Sequence, residues 1–158
     1  MKIRVGFGFD VHQLKARNDL WLGGVKLAHT KGAVGHSDAD VLLHAICDAL
    51  LGAAGMRDIG FHFPDTSSEF KGIDSKILLG RVNQLLKKEG YSIGNIDCTL
   101  VLEQPKINPS INEMKNTIAA ILNVEVNDIG IKATTNEKMG YVGREEGVCA
   151  YAVAIIQK

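Results

Sequence analysis

Residues 149–156, Cys-Ala-Tyr-Ala-Val-Ala-Ile-Ile, are almost wholly apolar. A run this short and this apolar reads as a strand in the middle of a sheet, covered on both faces. That reading constrains everything else, because material must be found for each face. Near the N-terminus Ile3, Val5, Phe7 and Phe9 alternate with Arg4, Gly6, Gly8 and Asp10, the period of a strand. Ile96, Cys98, Leu100 and Leu102 alternate with Asp97, Thr99, Val101 and Glu103 in the same way, and residues 129–132 form a short fourth strand. Three helices are predicted between them. The first spans residues 39–54, with Ser37-Asp38 as N-cap and first-turn acid and Gly55 at its end. Ile73, Ile77, Leu78, Val82, Leu85 and Leu86 share one face of the second, which Gly90 ends. Ile111, Met114, Ile118 and Ile121 share one face of the third. Residues 13–36 are Gly-rich and irregular, apart from Trp21-Leu22-Gly23-Gly24-Val25, which has the form of a small hairpin. Residues 56–72 read as a long loop, of a length that often carries function.

The elements alternate without a repeat or a break in composition. Residues 1–158 are therefore expected to form one α+β unit, a mixed α/β sandwich with a mixed four-stranded sheet and helices packed on one face. The other face is apolar too, and a closed cyclic oligomer is the simplest way to bury it.

Apolar residues make up 46% of the chain, which argues against disorder. Eighteen basic and eighteen acidic residues cancel, so no global field gathers nucleic acid or an anionic membrane. An anionic ligand must be held by local groups. Cys47, Cys98 and Cys149 stand far apart with no CxxC, which indicates neither disulfides nor a thiolate metal site but buried free thiols. The N-terminal residues have no apolar signal core, and no run approaches the roughly 18 apolar residues of a membrane span. The cytoplasm is the expected location.

Asp10 and His12 lie two apart at the end of the first strand, so their side chains point to one side as a metal clamp or a simple surface pair. His44 lies on the first helix with Asp40 and Asp48 one turn to either side, where a carboxylate can fix the imidazole tautomer. Asp10, His12 and His44 complete a three-ligand site with an open fourth position; His36 is the competing third ligand. The segment Lys132-Ala133-Thr134-Thr135-Asn136-Glu137-Lys138 offers hydroxyls, N–H groups and lysines to phosphate oxygens, and Glu137 can hold a hard cation; taken alone it is also a polar turn. Residues 140–147 form a glycine-spaced loop carrying Arg144, which also reads as a hairpin turn.

In order, these pieces resemble the 2-C-methyl-D-erythritol 2,4-cyclodiphosphate synthase family of the non-mevalonate isoprenoid pathway. The resemblance rests on GFDVH (8–12), HSDADVLLHAICDALLGAAGMRDIGFHFPDT (36–66), KG-DS (71–75), GY-I-N-D-T (90–99), PKI (105–107), KATTNEKMGYVGREEG (132–147) and the closing apolar strand, and it covers nearly the whole length. It implies a cyclising lyase. The 2-phosphate of 4-diphosphocytidyl-2-C-methyl-D-erythritol 2-phosphate attacks the β-phosphorus, CMP leaves and a cyclic diphosphate forms. It further implies one Zn2+ per subunit on Asp10, His12 and His44, and Mg2+ or Mn2+ on Glu137. His36 and Thr135 would stabilise charge at the reacting phosphate. Substrate would also touch Val11, Ser37, Asp58, Ile59 and Gly60, then Phe63, Pro64, Asp65, Thr66 and Ser67, with Asp65 as hydroxyl binder. The cytidine diphosphate would lie against Leu102, Glu103, Gln104, Pro105, Lys106, Ile107 and Asn108, with Thr134 and Asn136. The resemblance implies a homotrimer with active sites between neighbouring subunits. It also implies an axial cavity lined by Tyr141, Arg144 and Glu146 that accepts isoprenoid diphosphates. Asn136 and Tyr141 depart from the Thr and Phe common in the family, and Leu102 and Glu103 from small residues. Two other readings compete: a zinc phosphoesterase using the same site with water, and a trimeric ligand-binding module whose structural metal takes His36 or Asp38 as a fourth ligand.

Overall fold

A computed structural model describes residues 1–158. In chain order the elements are β1 (Ile3–Ala16), β2 (Leu20–Leu22), β3 (Val25–Leu27), β4 (Lys31–Val34), α1 (Val41–Ala54), α2 (Ile59–His62), α3 (Ser75–Lys88), β5 (Ser92–Val101), α4 (Ile111–Leu122), β6 (Ile129–Thr134), α5 (Gly140–Gly143) and β7 (Gly147–Gln157). The main sheet has the order β4-β1-β7-β5-β6, and β2 and β3 form a separate hairpin. The apolar strand β7 is central. It pairs antiparallel with β1, Phe7 opposite Val153, and antiparallel with β5, Cys98 opposite Ala152. Strands β5 and β6 run parallel, so the sheet is mixed.

The sheet has five strands rather than the expected four. β1 continues through Ala16 and pairs with residues 31–34, which the sequence presents as irregular. The pairing there depends on close backbone packing rather than apolar alternation. A Cβ at Gly32 would lie 2.1 Å from the Asp19 carbonyl oxygen, so only glycine fits. The expected long loop at 56–72 likewise contains α2 and a 3-10 turn at Ser68–Phe70. Asp58 starts α2 by accepting from Phe61 N, a cap that four helical residues suffice to use.

Helix α1 begins two residues later than expected. Ala39 takes a left-handed conformation, φ 57°, which turns the chain after Ser37-Asp38 and leaves Asp40 as the N-cap. Asp40 is wholly buried and accepts from Leu43 N, Gly23 N and Gly24 N, so it ties the hairpin to the helix start. Burial pushes its carboxyl above the usual range, against the pull of those donors. Leu42, Leu43, Ile46, Leu50 and Leu51 have no exposure, as expected of a helix sandwiched between the sheet and other helices.

The seam between α1 and the sheet is made of small residues. Ala45, Ala49 and Ala53 lie over Gly6 and Gly8; a Cβ at Gly8 would come 1.8 Å from the Ala45 carbonyl oxygen. Helix and strand backbones therefore nearly touch. The side chains of β1 beyond this seam rise beside the first turns of α1, where His44 sits. On the opposite face Ile3, Val5, Phe7, Phe9, Tyr151, Val153 and Ile155 are exposed, Val5 to 68% and Phe7 to 63%. Helices cover one face only, as the sequence implies. No helix of the chain is long and apolar enough to cross a membrane, and all three cysteines are free.

Candidate active site

Asp10 and His12 follow Gly6 and Gly8 on the helix-facing side of β1, and His44 descends from α1 to meet them. Asp10 Oδ2 lies 2.9 Å from His12 Nε2 and 3.0 Å from His44 Nδ1, and the two ring nitrogens are 3.2 Å apart. The three donor atoms thus form one tight triangle able to hold a divalent metal ion. The far side of each imidazole faces an acceptor. His12 Nδ1 donates to Val34 O at 2.9 Å, and His44 Nε2 donates to Ser75 Oγ at 2.9 Å and approaches Ser37 Oγ at 3.2 Å. This arrangement turns two nitrogen lone pairs and a carboxylate inward, and only a cation or a shared proton reconciles them. The protonation behaviour follows the same logic. Burial works to raise Asp10, but its hydrogen bonds and charge interactions with His12 and His44 win and hold it at about 2. Burial works to lower His12, but Asp10 outweighs it and raises the ring above its ordinary value.

The expected tautomer-fixing partners are corrected. Asp40 points to Gly23, Gly24 and Leu43, and Asp48 accepts from Ile59 N, so neither touches the ring of His44. Ser75 takes that place. In sequence it is only one residue of a stretch that carries the family resemblance, with no role assigned, and its pairing with His44 spans 31 residues.

A cavity of about 320 Å³ opens on the triad and is also lined by His36, Ser37, Ile59, Gly60, Phe63, Asp65 and Leu78. Leu78 reads in the sequence as part of a helix's apolar face, not as a site residue. His36 is not a third ligand; its Nε2 faces Ser67 O at 3.4 Å. Asp58, Pro64, Thr66 and Ser67 belong to the rim segment without lining the cavity, and Val11 points to the other sheet face.

Thr135 and Glu137 lie elsewhere. A second cleft of about 150 Å³ is lined by Leu102, Glu103, Pro105, Lys106, Ile107, Asn108, Ala133, Thr134 and Thr135. Gln104 and Asn136 flank it. It shares no residue with the triad cavity, and β7 and β5 separate β6 from β1. At about 4.8 Å per strand the two lie roughly 14 Å apart across one sheet. Glu137 and Lys138 have positive φ, 52° and 60°, and this turn aims backbone N–H groups at one point. Glu103 Oε1 occupies it, accepting from Asn136 N at 3.0 Å and Lys138 N at 3.2 Å. Thr135 Oγ1 accepts from Glu137 N, which leaves its hydroxyl proton free to donate. A third, shallow depression holds Tyr141 and Glu146, and Arg144 is tied to Glu146 by a two-point ion pair.

The model of the YgbB family matches residues 3–157. The 2-C-methyl-D-erythritol 2,4-cyclodiphosphate synthase of Parabacteroides distasonis is 63% identical over 158 residues, covering 100% of this chain and 98% of its own. The bifunctional IspDF of Campylobacter jejuni superposes with a TM-score of 0.94 at 39% identity over 98% of this chain, which spans 42% of that longer one. A CDP complex of IspF from Plasmodium falciparum superposes with a TM-score of 0.86 at 34% identity, covering 98% of this chain and 95% of that one.

Proposed function

The chain belongs to the YgbB family, and on that premise we propose that it cyclises 4-diphosphocytidyl-2-C-methyl-D-erythritol 2-phosphate to 2-C-methyl-D-erythritol 2,4-cyclodiphosphate and releases CMP. The observation that carries this reading is the inward-facing triangle of Asp10, His12 and His44 at the floor of an open cavity. Zinc fits that donor set. Tetrahedral zinc with arms of about 2.0–2.1 Å spaces its donors about 3.3–3.4 Å apart, so the triangle opens by only a few tenths of an ångström. When bound, zinc supplies Lewis-acid polarisation and charge neutralisation at a phosphate oxygen.

The protein's own residues do the rest by binding and alignment. Nucleophile and electrophile are both anionic phosphates, so the reaction needs neutralised charge and in-line geometry, not a protein nucleophile. His36 donates to a phosphate oxygen from the cavity wall. Asp65 and Ser37 accept from and donate to the polyol hydroxyls. The cytidine lies in the second cleft, where Lys106 neutralises phosphate and the free hydroxyl proton of Thr135 donates to a phosphoryl oxygen. Glu137 would hold the second divalent cation, Mg2+ or Mn2+, and its carboxylate oxygen suits such a hard ion.

The two clefts lie roughly 14 Å apart on one chain, and on our reading they serve one substrate from neighbouring copies. A homotrimer closed over the exposed face of β1 and β7 brings the cleft of one copy to the triad of the next. Each copy is one domain of residues 1–158 and works in the cytoplasm. The axial depression at Tyr141 and Arg144 accepts an isoprenoid diphosphate only if Arg144 leaves Glu146. Phosphorus NMR of the protein with the cytidylated substrate, zinc and magnesium tests the function. Cyclic diphosphate with CMP is expected; ring-opened phosphate carrying oxygen from labelled water would instead identify a phosphoesterase. No turnover by the metal-loaded oligomer would leave a binding module.

A further inference from the structure

We propose that Ser75 and Asp38 form a fixed hydrogen-bond chain that sets the tautomer of His44 and so the affinity of the metal centre. This rests on the reading of Asp10, His12 and His44 as a metal site.

Asp38 Oδ1 lies 2.5 Å from Ser75 Oγ, and Asp38 Oδ2 accepts from Ser75 N at 3.0 Å. A carboxylate offers no proton, so the hydroxyl proton of Ser75 points to Asp38. The oxygen of Ser75 then has only lone pairs left for His44 Nε2 at 2.9 Å, and the imidazole must supply the proton. With Nε2 protonated, Nδ1 carries the lone pair, and Nδ1 is the atom that faces Asp10 and His12. The chain thus decides which nitrogen of His44 can bind metal.

The parts of this chain are anchored from both sides. Ser75 is wholly buried and His44 is 6% exposed, so water does not compete for the bond. Asp38 is fixed by Asp38 N donating to Ile73 O and by its carboxylate accepting from Asp40 N. The left-handed turn at Ala39 sends the neighbouring carboxylates apart, Asp38 to Ser75 and Asp40 to the hairpin. Ser37 Oγ lies 3.2 Å from His44 Nε2 but accepts from Ala39 N, so it is the weaker, shared acceptor. His12 is handled in the same manner by a simpler acceptor, the Val34 carbonyl. Ser75 and Asp38 are positioning residues: neither reaches the open side of the triad.

The test uses the full chain and reads metal binding directly. Competition with a chromogenic chelator is expected to show zinc binding to Ser75→Ala weakened about 10–100-fold, with a smaller loss in Asp38→Asn and near-recovery in Ser75→Thr. The visible spectrum of the cobalt(II)-loaded protein is expected to change in Ser75→Ala and to return in Ser75→Thr. In zinc-loaded wild type, long-range proton–nitrogen NMR of labelled histidine is expected to show His44 protonated at Nε2 and ligated through Nδ1; this readout does not depend on any variant folding. Unchanged affinity and cobalt spectrum in a folded Ser75→Ala would overturn the chain while leaving the metal site standing, as would ligation through Nε2. Failure of wild type to bind zinc more tightly than His44→Ala would overturn the metal reading and the chain with it.

Discussion

Asp10, His12 and His44 meet beneath a helix packed backbone against backbone on the sheet, whereas Lys106, Thr134 and Thr135 meet on exposed chain at the far side of the same sheet. The first constellation is fixed by packing and hydrogen bonds from within the fold. Each imidazole has a fixed acceptor behind it, and the Gly6–Gly8 seam sets the depth at which His44 reaches β1. The second is held by backbone pairing of Leu102 with Thr134, by local bonds within the turn, and by one carboxylate, Glu103, gripping the backbone of the 136–138 turn. The difference teaches a division of labour. On the proposed reading, the metal half needs close donor spacing and is built into the core, while the nucleotide half needs hydrogen-bonding backbone and takes it from turns.

If the halves are independent, changes to one should spare the other. The largest effect is expected from His44→Ala, which should abolish tight zinc binding and lower turnover by at least about 100-fold, since even residues behind a ligand are worth 10–100-fold. Calorimetry should show its CMP affinity unchanged; a parallel loss of CMP binding would break the comparison. Next comes Gly8→Ala. Its Cβ would meet the Ala45 carbonyl oxygen, so α1 must shift, with a cost of about 3 kcal/mol in urea unfolding and weaker metal binding. Glu103→Ala should act only on the other half. Losing a charged acceptor for Asn136 N and Lys138 N should raise KM about tenfold with zinc affinity intact.

The smallest effect is on acid stability. Asp10 titrates at about 2 against 3.8 when unperturbed, so its ionised form stabilises the metal-free fold above the unfolded value. That contribution, about 2 kcal/mol, is lost as the pH falls from roughly 4 through 2. Denaturant midpoints of metal-free wild type should therefore fall over that window more steeply than those of Asp10→Asn.

The grouping of Asp10, His12 and His44 was legible in the sequence, and its supports were not. Asp10 and His12 follow from the period of a strand, and the central place of β7 follows from its apolar run. The N-cap at Asp40 did not, because a left-handed Ala39 and bonds to Gly23 and Gly24 decide it, and these arise only in the folded chain. Strand β4 was missed because its pairing is built on Gly32 under neighbouring carbonyls rather than on alternation. The role of Ser75 was not legible either: it lies in a stretch that carries the family resemblance, but its contact with His44 spans 31 residues and has no local signal.

The claim that one catalytic centre draws its halves from neighbouring copies is tested most directly by mixing two inactive variants. His44→Ala retains the nucleotide cleft, and a Lys106→Ala, Thr135→Ala double variant retains the triad. Refolded together at equal amounts, they should regain about a quarter of wild-type turnover, the share of interfaces that pair two intact halves in a randomly mixed cyclic oligomer. Mixed oligomers that form but stay inactive would contradict the account and place both halves of each centre within a single chain.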